Sequence, residues 1–220
     1  CPSFTQYAKH GGFIFRLKRD IFAIDSTTLK LSLDSIDWAR HRRKKAAAKT
    51  HMRLNVGTML PAFAVVEDAA HHDSTRADAL CEGLKDGDVL LADRAYVDLR
   101  FLHGLSERGV FFVLREKENM VFETVERRTH SDRRILADET VRMSRKGSAE
   151  KYPEPLRRVT AIVEVDGKDV EMAFITNNFA WSPRTVAELY RARWAIETFF
   201  KELKQTLQLA DFVGYNEKAV

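Results

Sequence analysis

The segment Val89-Leu90-Leu91-Ala92-Asp93-Arg94-Ala95-Tyr96 decides the fold, because it places an uninterrupted apolar run directly before a carboxylate. A short continuous apolar run is typical of a strand that is buried on both faces, as the strands of a parallel sheet are. Gly87, a residue type that favours turns, lies just before the run. The segment therefore predicts a buried central strand that ends at Asp93.

The segments before this strand predict an antiparallel group of strands. Residues 21–33 are rich in β-branched and apolar side chains, which favour a strand. Residues 51–56 and 60–66 flank Gly57 and predict a hairpin. Pro61 should lie at an edge or a bulge of that hairpin, because proline cannot donate a ladder hydrogen bond. We therefore expect three antiparallel strands ahead of the buried one.

Two helices and a further strand complete this pattern. Residues 74–84 predict a helix with Ser74 as its N-cap, and residues 98–107 predict a helix that Gly109 closes. Residues 110–114 form another apolar run and predict a second buried strand. The order of three strands, a helix, a strand, a helix and a strand is that of a ribonuclease-H-like sheet. We therefore expect an α/β fold in which helices flank a mixed sheet of this kind.

The middle of the chain has a different character. Residues 157–165 and 170–176 surround Asp166-Gly167 and predict a second hairpin. Residues 127–151 are charged and contain Gly. Two interpretations of this segment stay open, ordered β structure and an irregular loop. We predict a β-rich insertion over residues 116–178, before the last helix.

Residues 184–209 have the apolar periodicity of one amphipathic helix. At about 100° per residue, Tyr190, Arg193, Glu197 and Lys204 project within an arc of roughly 60°. The apolar side chains that would bury the helix lie beside this polar stripe: Leu189, Ile196, Phe199, Phe200, Leu203 and Leu207. Two interpretations are open. The stripe is either a surface charge network, whose i,i+4 pair contributes about 0.3 to 0.5 kcal/mol, or a carboxylate held between cations at a functional site.

Three motifs occur in a fixed order along the chain. The first is residues 21–28, Ile-Phe-Ala-Ile-Asp-Ser-Thr-Thr; the second is residues 93–96, Asp-Arg-Ala-Tyr; and the third is the Tyr-x2-Arg-x3-Glu-x6-Lys pattern of the last helix. Together they resemble the motifs of bacterial insertion-sequence transposases of the DDE superfamily, in the branch named for its Tyr-Arg-Glu-Lys signature. The similarity extends from about Ile21 to Gly214. Ala95 stands where the family commonly has a glutamate, so a contact made by that glutamate would be absent.

The resemblance implies the same ribonuclease-H-like fold and an active site made of three carboxylates. Asp25, Asp93 and Glu197 would hold two Mg²⁺ ions, with Asp25 bridging both, and Mn²⁺ would substitute for Mg²⁺. Two such ions activate a water and stabilise the charge on the attacking and leaving oxygens of a phosphodiester. From the residues alone, each aspartate can also be a turn or cap residue at the end of a strand.

The resemblance also implies contacts with DNA. Arg193 and Lys204 would hold phosphates of the transposon end, and Tyr190 would add a hydroxyl. A charge network on the helix surface is the alternative for these three residues. Arg94 and Tyr96 would support Asp93 or contact the DNA backbone.

The densest positive run of the chain is residues 40–45, Arg-His-Arg-Arg-Lys-Lys, between the first two predicted strands. Its position suits a groove for DNA phosphates, and a solvated basic loop is the alternative. The predicted phosphate contacts are Arg42, Arg43, Lys44, Lys45 and Lys49. His71, His72 and Asp73 have no evident third metal ligand, so they favour a role at the start of a helix.

Composition limits the class of protein. With 220 residues, 45% of them hydrophobic, the chain can bury the core of one domain spanning residues 1–220. No run of 18 apolar residues exists, and Cys1 and Cys81 provide neither a disulfide framework nor metal-ligand spacing. The start Cys1-Pro2-Ser3 lacks an initiator methionine and the pattern of a signal peptide, so we expect a fragment of a longer protein.

We therefore expect a DNA transposase that cleaves transposon ends and transfers the strands into target DNA. Its partner would be double-stranded DNA, both transposon ends and target, bound by a homodimer in the bacterial cytoplasm at the nucleoid, without a membrane. Two alternatives stay open, an inactive DNA-binding remnant of a transposase and a metal-dependent DNA nuclease without strand transfer. An assay of strand joining separates the nuclease from the transposase.

Overall fold

A computed structural model describes residues 19–30, 40–41, 45–68 and 76–206. These ranges contain ten strands in one sheet, together with five helices and a single 3₁₀ turn at Arg94–Tyr96. The strands are β1 (Ile21–Lys30), β2 (Arg40–His41), β3 (Lys45–Asn55), β4 (Leu60–Asp68), β5 (Val89–Ala92), β6 (Phe111–Arg115), β7 (Phe122–Arg127), β8 (Ile135–Met143), β9 (Leu156–Val165) and β10 (Lys168–Thr176). The helices are α1 (Ala77–Leu80), α2 (Leu99–Glu107), α3 (Lys146–Ala149), α4 (Pro183–Ala192) and α5 (Trp194–Thr206).

The sheet is mixed, as the sequence predicts. Its strand order is β2-β3-β1-β5-β6-β10-β9-β8-β7, and β4 pairs with β3. β3 pairs in the antiparallel direction with both β1 and β4, whereas β1, β5 and β6 run parallel to one another. An α/β fold with a large sheet is confirmed.

The predicted hairpin is formed by β3 and β4, and a bulge lies beside Pro61. Asn55 pairs with Leu60, and the Asn55 side chain accepts hydrogen bonds from the backbone N–H groups of Gly57 (3.0 Å) and Thr58 (3.1 Å). The register shifts between Arg53 and Leu54, directly beside Pro61. β3 begins at Lys45, earlier than predicted, and its first residues pair with β2. Arg40, His41 and Lys45 of the basic run therefore lie in paired strands.

The central strands and the helix after them match the prediction closely. All four residues of β5 are buried, and the Asp98 side chain caps α2 by accepting from the backbone N–H groups of Arg100 and Phe101. Gly109 follows α2 with φ of 70°, a left-handed conformation that glycine adopts without strain. α1 is shorter than predicted, and its expected cap Ser74 lies outside the described residues.

Residues 122–176 extend the sheet through four antiparallel strands. Asp166 and Gly167 both have positive φ, 50° and 73°, which is the geometry of the tight turn that joins β9 to β10. β10 pairs with β6, and β8 and α3 lie within the segment 127–151. Ordered structure rather than an irregular loop therefore occupies most of that segment.

The prediction of one helix over residues 184–209 was wrong. The helix breaks at Arg193, and the two backbone bonds that flank the break are tight i to i−3 contacts, Arg193 N–H to Tyr190 O (3.0 Å) and Ile196 N–H to Arg193 O (3.1 Å). A constant rotation of about 100° per residue does not hold across such a junction. Tyr190 therefore belongs to α4, and Glu197 and Lys204 belong to α5.

Two apolar clusters cover the two faces of the sheet. One contains Ala23 and Leu91 of the sheet, together with Leu189 of α4 and Ile196 of α5. The other contains sheet residues such as Leu90 and side chains of α1 and α2. Within the described ranges, no helix is both long and apolar enough to cross a membrane.

Candidate active site

The strand register places two carboxylates side by side. Ala23 of β1 pairs with Leu91 of β5 in the parallel direction, and both side chains face α4 and α5. Side chains alternate between faces along a strand, so Asp25 and Asp93, two residues further on, point to the same face. Neighbouring strands lie about 4.8 Å apart. Asp25 and Asp93 are therefore adjacent at the point where β5 ends.

Asp25 is a partly buried carboxylate under electrostatic strain. Its side chain is 24% exposed, and its Oδ1 accepts a hydrogen bond from the backbone N–H of Ser26 (2.8 Å). Burial raises the pKa of Asp25 to about 6; the Ser26 N–H and Arg193 oppose that rise, whereas Glu197 and Asp93 add to it. Glu197 and Asp93 thus each lie close enough to disfavour the charge of Asp25, and a bound cation would relieve that repulsion.

Asp93 is held by two donors. Its Oδ1 caps the 3₁₀ turn by accepting from the backbone N–H of Arg94 (2.6 Å), and it also accepts from the hydroxyl of Tyr190 at 3.3 Å. Tyr190 is buried, and its ring packs on Phe174 with centroids 4.7 Å apart. Burial raises the pKa of Tyr190, so its hydroxyl stays protonated as a donor. α4 therefore orients Asp93 from above the sheet.

Arg193 joins the other two carboxylates. Its Nη2 donates to Glu197 Oε1 at 2.6 Å, and its Nη1 lies 3.6 Å from Asp25 Oδ2. The guanidinium also lies over the ring of Tyr190, 5.3 Å from the centroid. Burial lowers the pKa of Arg193, but Tyr190, Glu197 and Asp25 outweigh it and raise the pKa above its ordinary value. The junction between α4 and α5 therefore places a permanent cation between Asp25 and Glu197.

These positions differ from the surface role expected for Tyr190 and Arg193. Both side chains are buried and directed at carboxylates, so neither is presented to a DNA phosphate in this structure. The reason is the packing of α4 and α5 on the sheet, which places Arg193 at their junction beside Asp25 of β1. The i,i+4 pair of Arg193 and Glu197 is buried on one side only, because the arginine side chain is 7% exposed and the glutamate side chain 51%.

The types of side chain suit a hard divalent cation, which prefers carboxylate oxygens. Their present arrangement is not a complete ligand shell: among the described residues, no three His, Cys, Asp or Glu side chains are grouped as metal ligands. Tyr190 and Arg193 engage the oxygens of all three carboxylates instead. The donor chemistry therefore fits a divalent ion, and these contacts show which bonds would have to change.

The remaining predicted residues lie at varied depths. Arg94 is exposed, and its guanidinium pairs with Glu118 at 2.8 Å. Lys204 is exposed in the last turn of α5, and Lys49 is half-buried on β3. Tyr96 is buried with the side chains of α2, which is inconsistent with a contact to the DNA backbone.

Several predicted residues cannot be placed. Lys45 begins β3, but its side chain is outside the description, as are Arg42, Arg43 and Lys44 altogether. The segment His71-His72-Asp73 also lies outside the described residues.

Two arginines that act on α4 or on the segment leading into it were missed. Leu91 pairs with Val113, so Arg115, two residues further along, is the next position across the sheet after Asp93. Arg115 also pairs with Phe174 of β10, and its charge lowers the pKa of Tyr190. Its only sequence signal is its position directly after the apolar run 110–114.

The second missed residue is Arg157, which is buried in β9. It binds both oxygens of Asp138 (2.8 and 2.7 Å) and the carbonyl oxygen of Trp181 (2.6 Å). This network ties β8 and β9 to the segment that leads into α4. Nothing in the local sequence around Arg157 indicates that role.

Comparison with known proteins places these residues in context. The family model described as "Transposase DDE domain" matches residues 16–217. A probable transposase for insertion sequence element IS5377 from Geobacillus stearothermophilus is 28% identical over 208 residues, which cover 93% of this chain and 53% of that protein. The putative transposase y4zB of Sinorhizobium fredii is 29% identical over 202 residues, which cover 90% of this chain and 55% of that protein. The chain thus spans about half the length of these curated relatives.

Solved structures show weaker likeness. A piggyBac transposase synaptic complex with hairpin DNA has a TM-score of 0.48 at 9% identity, covering 84% of this chain and 40% of that one. An endonuclease V from Bacillus subtilis has a TM-score of 0.32 at 9% identity, covering 86% of this chain and 82% of that one.

Proposed function

The chain belongs to the family of transposase DDE domains, and from this premise we propose that it is the catalytic domain of a DNA transposase. It would cut DNA at the ends of an insertion element and join those ends to target DNA by metal-assisted phosphoryl transfer. The order of its motifs further supports the branch with the Tyr-Arg-Glu-Lys signature.

One observation carries the proposal. Asp25 of β1 and Asp93, which directly follows β5, each lie two residues beyond the paired Ala23 and Leu91, and Arg193 links Asp25 to Glu197 of α5. The charges of Glu197 and Asp93 both act on Asp25. Asp93 and Glu197, which are 68 and 172 positions from Asp25 in the sequence, thus both act on it electrostatically.

In this proposal Asp25, Asp93 and Glu197 would hold Mg²⁺, or Mn²⁺ in its place. When bound, such ions supply positive charge for the attacking and leaving oxygens of an in-line displacement at phosphorus. Tyr190 orients Asp93 through its hydroxyl, and the Ser26 N–H orients Asp25. Asp25 must lose its proton before it can act as a ligand, so a pKa of about 6 leaves it mostly ionised at neutral pH.

Exposed cations around this cluster would hold the DNA backbone. Arg94 follows Asp93 directly, and Lys204 lies on the same helix as Glu197. Lys49, with the basic run 42–45, would add phosphate contacts from β3 and the segment before it. We assign Tyr190 and Arg193 to the interior of the site and Tyr96 to the apolar cluster with α2, rather than to the DNA surface, because all three are buried.

The strand order supports the finer description of the fold. β4, β3 and β1 are antiparallel and are followed by the parallel strands β5 and β6, which is the arrangement expected of a ribonuclease-H-like sheet. Residues 116–178 would then be an insertion into a single domain spanning 1–220. We further propose that the protein acts as a homodimer on double-stranded DNA at the nucleoid, in the bacterial cytoplasm.

The test is an assay of cleavage and joining with DNA from the ends of the element that encodes the chain. With Mg²⁺, the wild-type protein should nick the end and join it to a target plasmid. Asp25→Asn, Asp93→Asn and Glu197→Gln should each lower nicking by several orders of magnitude while end binding persists. Nicking without joining would indicate a nuclease, and DNA binding without nicking would indicate an inactive remnant; either result contradicts the proposal.

A further inference from the structure

Arg193 occupies an unusual electrostatic position in the site. Its guanidinium is within 4 Å of Asp25 and of Glu197, and its side chain is 7% exposed. A second i,i+4 pair on α4, between Arg184 and Glu188, provides a comparison. There the arginine is 68% exposed and contacts one carboxylate. Arg193 thus differs from an ordinary helix-surface arginine in both depth and number of partners.

The hydrogen bonds of Arg193 are incomplete. Its Nη2 bonds to Glu197, whereas the 3.6 Å from Nη1 to Asp25 is longer than a hydrogen bond. Its buried Nε has no hydrogen-bond partner among the described residues. A buried guanidinium with unused donors is held mainly by charge, so a competing cation can displace it more readily than a fully bonded one.

A divalent ion and Arg193 would share two carboxylates, because Arg193 contacts one oxygen of Asp25 and one of Glu197. Any ion held by Asp25 and Glu197 would lie close to the guanidinium, and like charges at that distance repel strongly in a partly buried site. The contacts of Arg193 also coincide with the absence of a grouped ligand shell among the described carboxylates. The guanidinium therefore competes with an ion for Asp25 Oδ2 and Glu197 Oε1.

We propose that Arg193 is an internal counter-cation that neutralises Asp25 and Glu197 in the metal-free protein and is displaced from at least one of them when a divalent ion binds. The inference rests on the proposed metal-dependent function and concerns how the site takes up a divalent ion. Arg193 acts here as a positioning residue, because it holds the ligands in place and competes with the ion for them.

Calorimetric titration with Ca²⁺ tests the competition without any DNA cleavage. In Arg193→Gln the competitor is gone, so Ca²⁺ should bind roughly tenfold or more tightly than in the wild-type protein. In the presence of EDTA the same variant should melt at a lower temperature, because the carboxylates then repel without a counter-cation. Arg191→Gln is the matched control: it removes an exposed arginine from α4 and should leave Ca²⁺ affinity at the wild-type value.

A second measurement needs no substitution to observe the displacement. In wild-type protein labelled with ¹⁵N at arginine side chains, the Nε–Hε resonance of Arg193 should shift as Ca²⁺ saturates the site, while that of Arg191 stays in place. Because the resonance is followed in the native protein, this test stands even if Arg193→Gln fails to fold. The two signals are assigned in the wild-type protein by through-bond correlation of each side chain with its own backbone resonances.

The outcomes separate this inference from the proposed function. Glu197→Gln should weaken Ca²⁺ binding if the metal site is where we place it. If it does so, but Arg193→Gln binds Ca²⁺ no more tightly than wild type and the Arg193 resonance does not move, the competition is refuted and the metal site stands. If Ca²⁺ binds to none of these proteins, the metal site itself is refuted, and the inference falls with it.

Discussion

Replacing Asp25 by Asn should stabilise the metal-free protein at neutral pH. Asn keeps the size of the side chain and an oxygen that can accept from the Ser26 N–H, but it removes the charge that burial and the neighbouring carboxylates disfavour. Catalytic groups are often held at some expense of stability, and their removal then stabilises the fold. The free energy of unfolding should therefore rise in Asp25→Asn.

The magnitude follows from the pKa. Asp25 has a folded-state pKa of about 6 against an ordinary value of 3.8. Between these values the folded protein binds more protons at Asp25 than the unfolded chain does, so the contribution of Asp25 to stability is fully present below pH 3.8 and is lost as pH rises through 6. At about 1.4 kcal/mol per pH unit, the loss reaches about 3 kcal/mol by neutral pH.

The assay is urea unfolding of wild-type and Asp25→Asn protein at a series of pH values from 4 to 7.5, with EDTA throughout. The difference in free energy of unfolding should be small at pH 4 and should grow in favour of Asp25→Asn to about 3 kcal/mol near pH 7. Other titrating groups largely cancel in this difference because both proteins contain them. A difference that does not change with pH, or a variant that is less stable at pH 7, would refute the electrostatic account of Asp25.

Three further predictions concern the surroundings of the site. Arg157→Met should lower the free energy of unfolding in urea by about 3 to 5 kcal/mol, because it leaves Asp138 buried and unpaired. The double variant Arg157→Met, Asp138→Leu should recover most of that loss, and a double variant as unstable as the single one would contradict the prediction. Tyr190→Phe should destabilise the protein by only about 1 kcal/mol in urea but should weaken Ca²⁺ binding, because Asp93 loses a donor; unchanged Ca²⁺ affinity would remove the orienting role of Tyr190. Changing Arg42, Arg43, Lys44 and Lys45 together to Ala should reduce the slope of log affinity for DNA against log salt by up to about 4 without altering base preference, whereas an unchanged slope in a binding titration would favour a solvated loop.

Local chemistry predicts the central part of the fold. The apolar run of β5 is continuous because both its faces are covered, and the Asp166-Gly167 turn tolerates positive φ at both residues. The break at Arg193 has no such local cause. The periodicity continues on both sides of it, without Gly or Pro, and the contacts that distinguish Arg193 are to residues on other elements.

The site was likewise only partly predictable. The sequence motifs point to Asp25, Asp93 and Glu197, and the register of β1 against β5 brings the two aspartates together. The depth of Tyr190 depends on how α4 packs over Phe174, a contact between elements that no local pattern encodes. The charged sequence of β8 does not distinguish a strand from an irregular loop. Its buried Asp138 is compensated by Arg157 from the neighbouring strand, a contact that the local sequence does not indicate.

The most direct test of the central claim is Mn²⁺ binding, measured by electron paramagnetic resonance as the loss of the free-ion signal. The account predicts that the wild-type protein binds Mn²⁺, that Asp25→Asn, Asp93→Asn and Glu197→Gln each weaken binding by at least about tenfold, and that Arg191→Gln does not. Equal Mn²⁺ affinity in the wild-type protein and all three carboxylate variants would contradict the claim that these residues form one metal site.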